Sequence, residues 1–383
     1  MALAPCTRHL RDYVAIPSVN PMGRDDLPAG IAGERRYAEH LREQLRRLGL
    51  DAELVGEGER ASVVAEARAQ GAGDTVLVAS HLDTVPVDGM EINPFDPEIR
   101  DGRLYGRGSC DTKGGMAALL AALEVTLERG TLRRNVIVVG ESDEELGSRG
   151  VRDVLAHLGG RRPDWVLATE PTELRLVTRH KGIALARLVA TGRACHSSNP
   201  DAGRNAIVAL ARATLVLDAL NEELRAREDP RLGPGTLSVG LVGGGQAPNI
   251  VPDAAWLVSD RRLLPGESGE SVRAEIEAAL SRAGIEDVAV ESCRVEKGAL
   301  ATPDDHPCVR ACLALLAEQG LPSEPATASF GTDAGVFAES DLPGVVWGPG
   351  SIEQAHTSRE FVAVDQLEAA SAWLVRLLES DPA

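Results

Sequence analysis

The sequence predicts an α/β protein, a mostly parallel mixed sheet flanked by helices, with a second, smaller unit inserted into it. Three observations lead there. Between 75 and about 175, short Val-rich runs alternate with helix-length segments and leave no room for hairpins, so the strands run parallel and the helices cover the sheet faces. From about 178 the order becomes strand, helix, strand, strand, helix, strand, the βαββαβ split pattern of a ferredoxin-like sandwich. After 300 the helix and short-strand pattern returns. A chain of 383 residues is long for one core of ordinary size. The simplest organisation makes 1–177 and 295–383 the larger domain and 178–294 the insertion.

Taken in order, the larger domain reads as strand TVLVAS, helix GGMAALLAALEVTLERG, strand NVIVVGE, helix GVRDVLAHL and strand WVLATE. The insertion follows with strand IALARLVAT, helix NAIVALARATLVLDAL, strand TLSVGLVGG, strand AAWLVSDRRLL, helix SVRAEIEAALSRAG and strand DVAVESCRV. CVRACLALLAEQG, GVVWGPG and QLEAASAWLVRLLE complete the larger domain. Charge runs such as ERRYAEHLREQLRRLG read as solvated helix faces. No internal repeat or low-complexity segment interrupts the pattern.

Hydrophobic content of 43% with 26% charged residues is that of a soluble globular protein, and 3% aromatic leaves Val, Leu and Ala to fill the core. A net charge of -18 argues against nucleic acid and anionic membrane as general surface partners. The start MALAPCTRHLRDY lacks a secretion-type apolar stretch, and no run approaches the ~18 apolar residues of a membrane span, so a cytoplasmic protein is expected. The six cysteines form no CxxC pair and read as free thiols. Cys308 and Cys312, i, i+4 on a helix, read as small apolar packing before they read as a metal pair.

Chemistry concentrates where the strands of the larger domain end. SHLDTVP carries His81 and Asp83, GRGSCDTKGG carries Asp111, ESDEELGSRG carries Glu144 and Glu145, ATEPTE carries Glu170, and GPGSIEQAHTS carries His356. Each string alone has an ordinary reading: a capped strand end for HxD, a helix start for the glutamates, an ordinary Gly-rich loop for the glycines. Together they place imidazoles and carboxylates, ligands for zinc and similar ions, at the carboxyl ends of strands, where α/β sheets bind ligands. Two ions could each take one histidine and one terminal carboxylate, with a central aspartate between them.

SHLDTVP, GRGSCDTKGGMAALLAAL, SDEELGSRG, TEP, ACHSSNPDAGRNAI, DRRLLPGES and GPGSIEQAHTSREFV cover most of the chain and resemble the M20 metallopeptidases and deacylases in family order. The resemblance implies a zinc aminopeptidase-like catalytic domain with an inserted dimerisation domain, and so a homodimer. It implies that His81, Asp111 and Glu170 hold one Zn2+ and that Asp111, Glu145 and His356 hold the other, with Co2+ or Mn2+ as substitutes. Asp83 would accept a hydrogen bond from the His81 ring, and Glu144 would be the general base that takes a proton from the attacking water. It also implies a cis peptide between Asp111 and Thr112.

In the insertion, His196 resembles the family histidine that reaches the oxyanion, often from a partner subunit. Arg262 fits a family element that could clamp a substrate carboxylate, with a structural salt bridge as the competing reading, and Asn249 is a further substrate-side candidate. His9, His40 and His157 lie on charged helical stretches and read as surface residues, while His180 and His306 have no motif support. The substrate implied is a small N-acyl amino acid, N-acetyl-ornithine first, with a succinyl-diaminopimelate desuccinylase or a dipeptidase or carboxypeptidase of the same family as alternatives. A two-metal phosphoesterase would need a basic cluster that the ligand strings lack, and a non-catalytic binder would not need Glu144.

Overall fold

The computed structural model describes residues 3–28, 30–71 and 73–381. The chain forms two compact units, one of Met1–Arg179, Thr302–Ala326 and Thr332–Ala383, the other of His180–Ala301 and Thr327–Gly331. The second unit runs on past 294 because its last long strand, Val288–Lys297, continues beyond that point.

The first unit is built on a mixed sheet with a parallel centre. Asn135–Glu141, Thr75–His81, Trp165–Ala168 and Gly344–Val346 lie side by side and parallel. Ser62–Ala67 and Asp51–Val55 extend it antiparallel on one side, and Val177–His180 pairs antiparallel with Gly344–Val346 on the other. The central strands are apolar on both faces, as expected of strands covered by helices twice over. Successive side chains alternate: Val76, Val78, Val136 and Val138 pack with helices Pro5–Val14, Lys113–Arg129 and Val364–Glu379, whereas Leu77, Ala79, Ile137 and Val139 pack with Arg149–Leu158 and Asp333–Ala338. Ala117 to Leu123 are all buried, so Lys113–Arg129 is a core helix, and it starts two residues after Asp111. With few aromatics available, one pair does much of the packing there: the Trp347 and Trp373 rings lie 4.1 Å apart, both buried.

The second unit is a four-stranded antiparallel sheet in the order Thr236–Gly244, Ala254–Leu263, Gly182–Thr191, Val288–Lys297. Helices Ala206–Arg225 and Gly269–Arg282 cover one face, where Ala184, Ala186, Leu188 and Ala190 point inward at every second position. Asn205 accepts hydrogen bonds from the main-chain N–H groups of Ile207 and Val208, and Ser268 and Ser271 form a reciprocal box at the second helix start. Thr236–Gly244 is an edge strand, with a register shift between Val239 and Leu241 and with Leu241 and Val242 exposed.

Replacing Trp373 with alanine removes half of the ring pair and leaves a cavity in the first unit. Trp373→Ala should lower stability by about 3–5 kcal/mol, read as a fall in the urea midpoint by circular dichroism. An unchanged midpoint would show that the ring pair contributes little.

Candidate metal centre

Three adjacent parallel strands end together and deliver most of the site. His81 closes Thr75–His81, and its register partner Glu141 closes Asn135–Glu141, so the turn 142–145 leaves from beside the imidazole. Thr169 and Glu170 follow Trp165–Ala168 on the other side. Asp111 arrives on the loop before helix Lys113–Arg129, across an Asp111–Thr112 peptide that is cis, and the Thr112 hydroxyl donates to the Thr169 carbonyl at 2.8 Å. Segment 348–351 lies beside 170–174, with Leu174 N donating to Gly348 O and Glu173 N to Gly350 O, which brings the following turn and His356 to the same place. His356 adopts φ 60°, a left-handed conformation uncommon outside glycine and worth noting at a site.

The side chains converge. His81 Nε2 lies 2.9 Å from Asp111 Oδ1 and 4.0 Å from Glu170 Oε2, and His356 Nε2 lies 3.1 Å from Asp111 Oδ2 and 3.2 Å from Glu145 Oε2. One ligand atom from each of His81, Asp111 and Glu145 falls within 4.8 Å of the other two. Glu144 is buried, and its charge bears on His81, Glu141 and Glu145.

This arrangement asks for cations. His81 Nδ1 is 3.0 Å from the Asp83 carbonyl oxygen, which can only accept, so Nδ1 carries the proton. In the neutral ring the Nε2 lone pair then faces carboxylate oxygen, and only a proton or a metal ion between them makes that contact favourable. Burial disfavours charge on His81, but Asp111 and Asp83 outweigh it and hold the ring well above its usual pKa. Hydrogen bonds to Asp111 and Glu145 push His356 up to about 10. Burial, then the charges of Asp111 and Glu144 working against His356, raise Glu145 to about 7. Asp111, which burial alone would raise, is held well below the carboxylate range by the two imidazoles. One N–H on His356 cannot point at two carboxylates, and Glu145 Oε1 is buried without a hydrogen bond. A divalent ion bound by imidazole nitrogen and carboxylate oxygen would satisfy these atoms together, so the donor set fits zinc or a similar metal.

The structure alters the expected part of Asp83. Its carboxylate lies 3.6 Å from His81 Nδ1, farther than its own main-chain carbonyl, because the chain turns back under the ring directly after the strand. The carboxylate instead accepts from Glu144 N and Glu145 N, each at 3.0 Å, and from Asn20 Nδ2 at 2.8 Å. Asp83 therefore holds the turn that carries both glutamates, and its pKa stays low against burial through these donors and the His81 ring. The same turn is held at Asp143, whose N–H donates to Glu34 Oε1 at 3.2 Å and whose carboxylate pairs with Arg149 and Asn20. Gly150 is required beneath it, since a Cβ there would collide with Ser142 main-chain atoms.

Asn20, Glu34 and Glu360, all buried, are supporting residues that the motifs did not single out. Asn20 and Glu34 lie far from the site in sequence, and a lone Asn before Pro or a Glu before a helix carries no signal. Glu360 stands four residues after His356 and was readable only as part of SREFV.

His196, Asn249 and Arg262 belong to the second unit. The His196 ring Nδ1 accepts from Ser198 N at 3.2 Å and lies 2.8 Å from Ser198 Oγ, which leaves the ring proton on Nε2, available to donate. Segment 195–197 pairs with 249–251: Ser197 N donates to Asn249 O at 3.0 Å, and Val251 N to Cys195 O at 2.8 Å. Both His196 and Asn249 are exposed. Arg262 is engaged by Asp260, with Nε 2.9 Å from Oδ1 and Nη2 3.3 Å from Oδ2. Cys308 and Cys312 are buried in the core of the first unit, and none of the six cysteines is in a disulfide.

A donor set of this kind at the strand ends of an α/β sheet is that of a metal-dependent hydrolase. Residues 77–380 match peptidase family M20/M25/M40, and the chain belongs to this family, whose members hydrolyse amide bonds. Similar sequences include an acetylornithine deacetylase of Myxococcus xanthus, 34% identical over 328 residues and covering 83% of each chain, and one of Pasteurella multocida, 30% identical over 383 residues and covering 96% of this chain and 97% of the relative. The fold is shared with the M20 family metallo-carboxypeptidase Sso-CP2 of Sulfolobus solfataricus, at TM-score 0.79, 22% identity and 98% coverage of both chains. It is also shared with a dinuclear metal-binding M20 peptidase of Bacillus subtilis, at TM-score 0.70, 17% identity and 98% coverage of both.

Asp83→Asn would turn an amide N–H toward one of the donors that the carboxylate now accepts. Zinc affinity should fall by about 10–100-fold, the usual effect of removing a group that orients ligands, measured by competition with a chromophoric chelator. Affinity equal to wild type would mean that the turn holds its shape without Asp83.

Proposed function

We propose that the protein is a dinuclear zinc amidohydrolase that removes the acyl group from a small N-acyl amino acid, N-acetyl-ornithine first among them. The observation that carries the two-ion reading is Asp111, whose Oδ1 meets His81 and whose Oδ2 meets His356, as a carboxylate shared by two ions would. Glu170 would complete the His81 side and Glu145 the His356 side, with Co2+ or Mn2+ able to substitute. The dinuclear metal binding named for the Bacillus subtilis relative supports the count, and the deacetylases named among the similar sequences support the substrate.

Bound ions supply Lewis acidity to a carbonyl and acidify water. The chain's own residues do the rest. Glu144, on a turn fixed by Asp83, takes a proton from the water as it adds to the amide carbon and returns it to the leaving nitrogen. His196, with its proton on Nε2, donates to the developing oxyanion. Asp260 occupies two of the Arg262 nitrogens, so Arg262 would meet the substrate carboxylate through its remaining edge, with Asn249, whose carbonyl accepts from Ser197 N beside His196, as a further polar contact.

His196 would act from a partner subunit in a homodimer formed through the second unit. Edge strand Thr236–Gly244 exposes Leu241 and Val242, and helix Ala206–Arg225 exposes Ile207, Val208 and Leu215, an apolar surface that a second copy would cover. Six thiols outside any disulfide suit a reducing compartment, the cytoplasm, and among the described residues no helix is long and apolar enough to cross a membrane.

Metal analysis of the purified protein should give two ions per chain; full activity at one equivalent would make the second site dispensable. Zinc affinity should rise with pH from about 6 toward about 10, because the protons on Glu145, at about 7, and on His356, at about 10, must leave before metal binds, and a flat profile would contradict the ligand set. Mixing inactive Glu144→Ala with inactive His196→Ala should restore activity through mixed dimers, whereas a histidine acting within its own chain restores none. Among N-acetyl-ornithine, N-succinyl-diaminopimelate, N-acetyl-methionine and a dipeptide, kcat/KM should be highest for the first. A rival ahead by more than about tenfold, or ~1.4 kcal/mol of transition-state binding, would replace the substrate and leave the reaction class standing.

A further inference from the structure

We propose that Glu360 is the positioning residue that sets Asp111 against His356, an inference that rests on the metal-centre reading above. Its carboxylate is fully buried and accepts four hydrogen bonds from one short loop: Oε2 from Arg107 Nη1 at 2.7 Å and Gly108 N at 3.0 Å, Oε1 from Cys110 N at 2.9 Å and Asp111 N at 3.0 Å. An ionised carboxylate has about four lone-pair directions, so every one is used, and all four donors lie within 107–111. The last donor is the main-chain N–H of Asp111 itself.

The other end of this link is His356. Glu360 ends the turn that carries the histidine and leads into Phe361–Ala363, which pairs with Arg103–Tyr105, while Gly106 N donates to Glu360 O at 3.1 Å. A second tie holds the same turn from outside: Glu91 N donates to Ser358 O at 2.9 Å, and Arg359 Nε to Glu91 Oε2 at 2.7 Å. Asp111 and His356 sit far apart in sequence, on two loops of which neither belongs to a regular element at that point. Glu360 joins those loops through main-chain atoms on one side and its carboxylate on the other. The 3.1 Å separation of Asp111 Oδ2 from His356 Nε2 is set through it.

Glutamine at 360 keeps the size but replaces one oxygen with an N–H2 group that faces two N–H donors. Aspartate keeps the charge but falls one methylene short of four donors. The test titrates metal-free wild type, Glu360→Gln and Glu360→Asp with zinc, with cobalt absorption as a report on ligand geometry and circular dichroism as a check of folding. Glu360→Gln should weaken binding of at least one ion by about 10–100-fold and shift the cobalt bands; Glu360→Asp should fall between it and wild type. A folded Glu360→Gln that binds both ions with wild-type affinity and spectrum overturns the proposal, even if its melting temperature drops, because a purely structural role would lower stability and leave the centre intact. If Glu360→Gln does not fold, Glu360→Asp decides by the same two readouts. Wild type that binds no metal sinks the centre itself, a result distinct from an unaffected variant.

Discussion

Buried negative charge governs the first unit. Asp83, Asp111, Glu141, Asp143, Glu144 and Glu170 are all buried around three strand ends, with Glu34 and Glu360 behind them. Two like charges 4 Å apart repel by about 4 kcal/mol at an effective dielectric of 20, so such a group exists only if each member is answered. The answers differ by position. Asp83 and Glu360 take main-chain N–H donors, Asp143 takes Arg149, and Asp111 and Glu145 take imidazoles. Where no donor suffices the proton stays: burial, then Asp333, pushes Glu141 well above the carboxylate range, and burial, then Asp83, takes Glu34 to about 8. The atoms of His81, Asp111, Glu145 and His356 that converge at the centre of this group are those that a metal would claim.

The same pairing of charge with main chain explains how irregular loops hold the convergent side chains in place. Carboxylates that gather consecutive N–H groups act on a turn as a cap acts on a helix start. Asp83 does this for the glutamate turn and Glu360 for the aspartate loop. Lys113 does the converse with carbonyls: its buried ammonium donates to Tyr13 O at 3.0 Å and Ile16 O at 2.7 Å, where helix Pro5–Val14 ends. Burial lowers its pKa to about 7, so the charge there is only partly secured by its surroundings.

Much of this was legible in the sequence, for physical reasons. Strands buried on both faces read as unbroken Val-rich runs, and the inserted unit betrayed itself by a change in element order. The candidate ligands could be singled out because polar residues at the end of an apolar strand have few other reasons to be there. What was not legible is long-range. Nothing local to Glu360 says that its partners lie some 250 positions away, and Asn20 meets Asp83 only because 18–20 runs beside Thr84. Asp51–Val55 and Ser62–Ala67 passed unremarked because short antiparallel strands at the side of a sheet carry a weaker pattern than the parallel centre. The full set of Asp83 contacts was not legible either: its carboxylate lies 3.6 Å from the His81 ring and also accepts from the glutamate turn, and HxD spacing does not reveal whether a side chain or its own carbonyl ends up nearer the ring.

The edge strand of the second unit bears on how this protein behaves outside a well-folded preparation. Thr236–Gly244 offers unpaired main-chain groups along one side, with Leu241 and Val242 turned to solvent, and such a strand recruits other strands whether or not they are the intended ones. Its protection is the irregularity between Val239 and Leu241 and the glycines at 240, 243 and 244, which break the flat template that ordered stacking needs. Straightening that strand, by replacing its glycines with β-branched residues, would raise its strand propensity and turn an irregular edge into a nucleus for insoluble polymer.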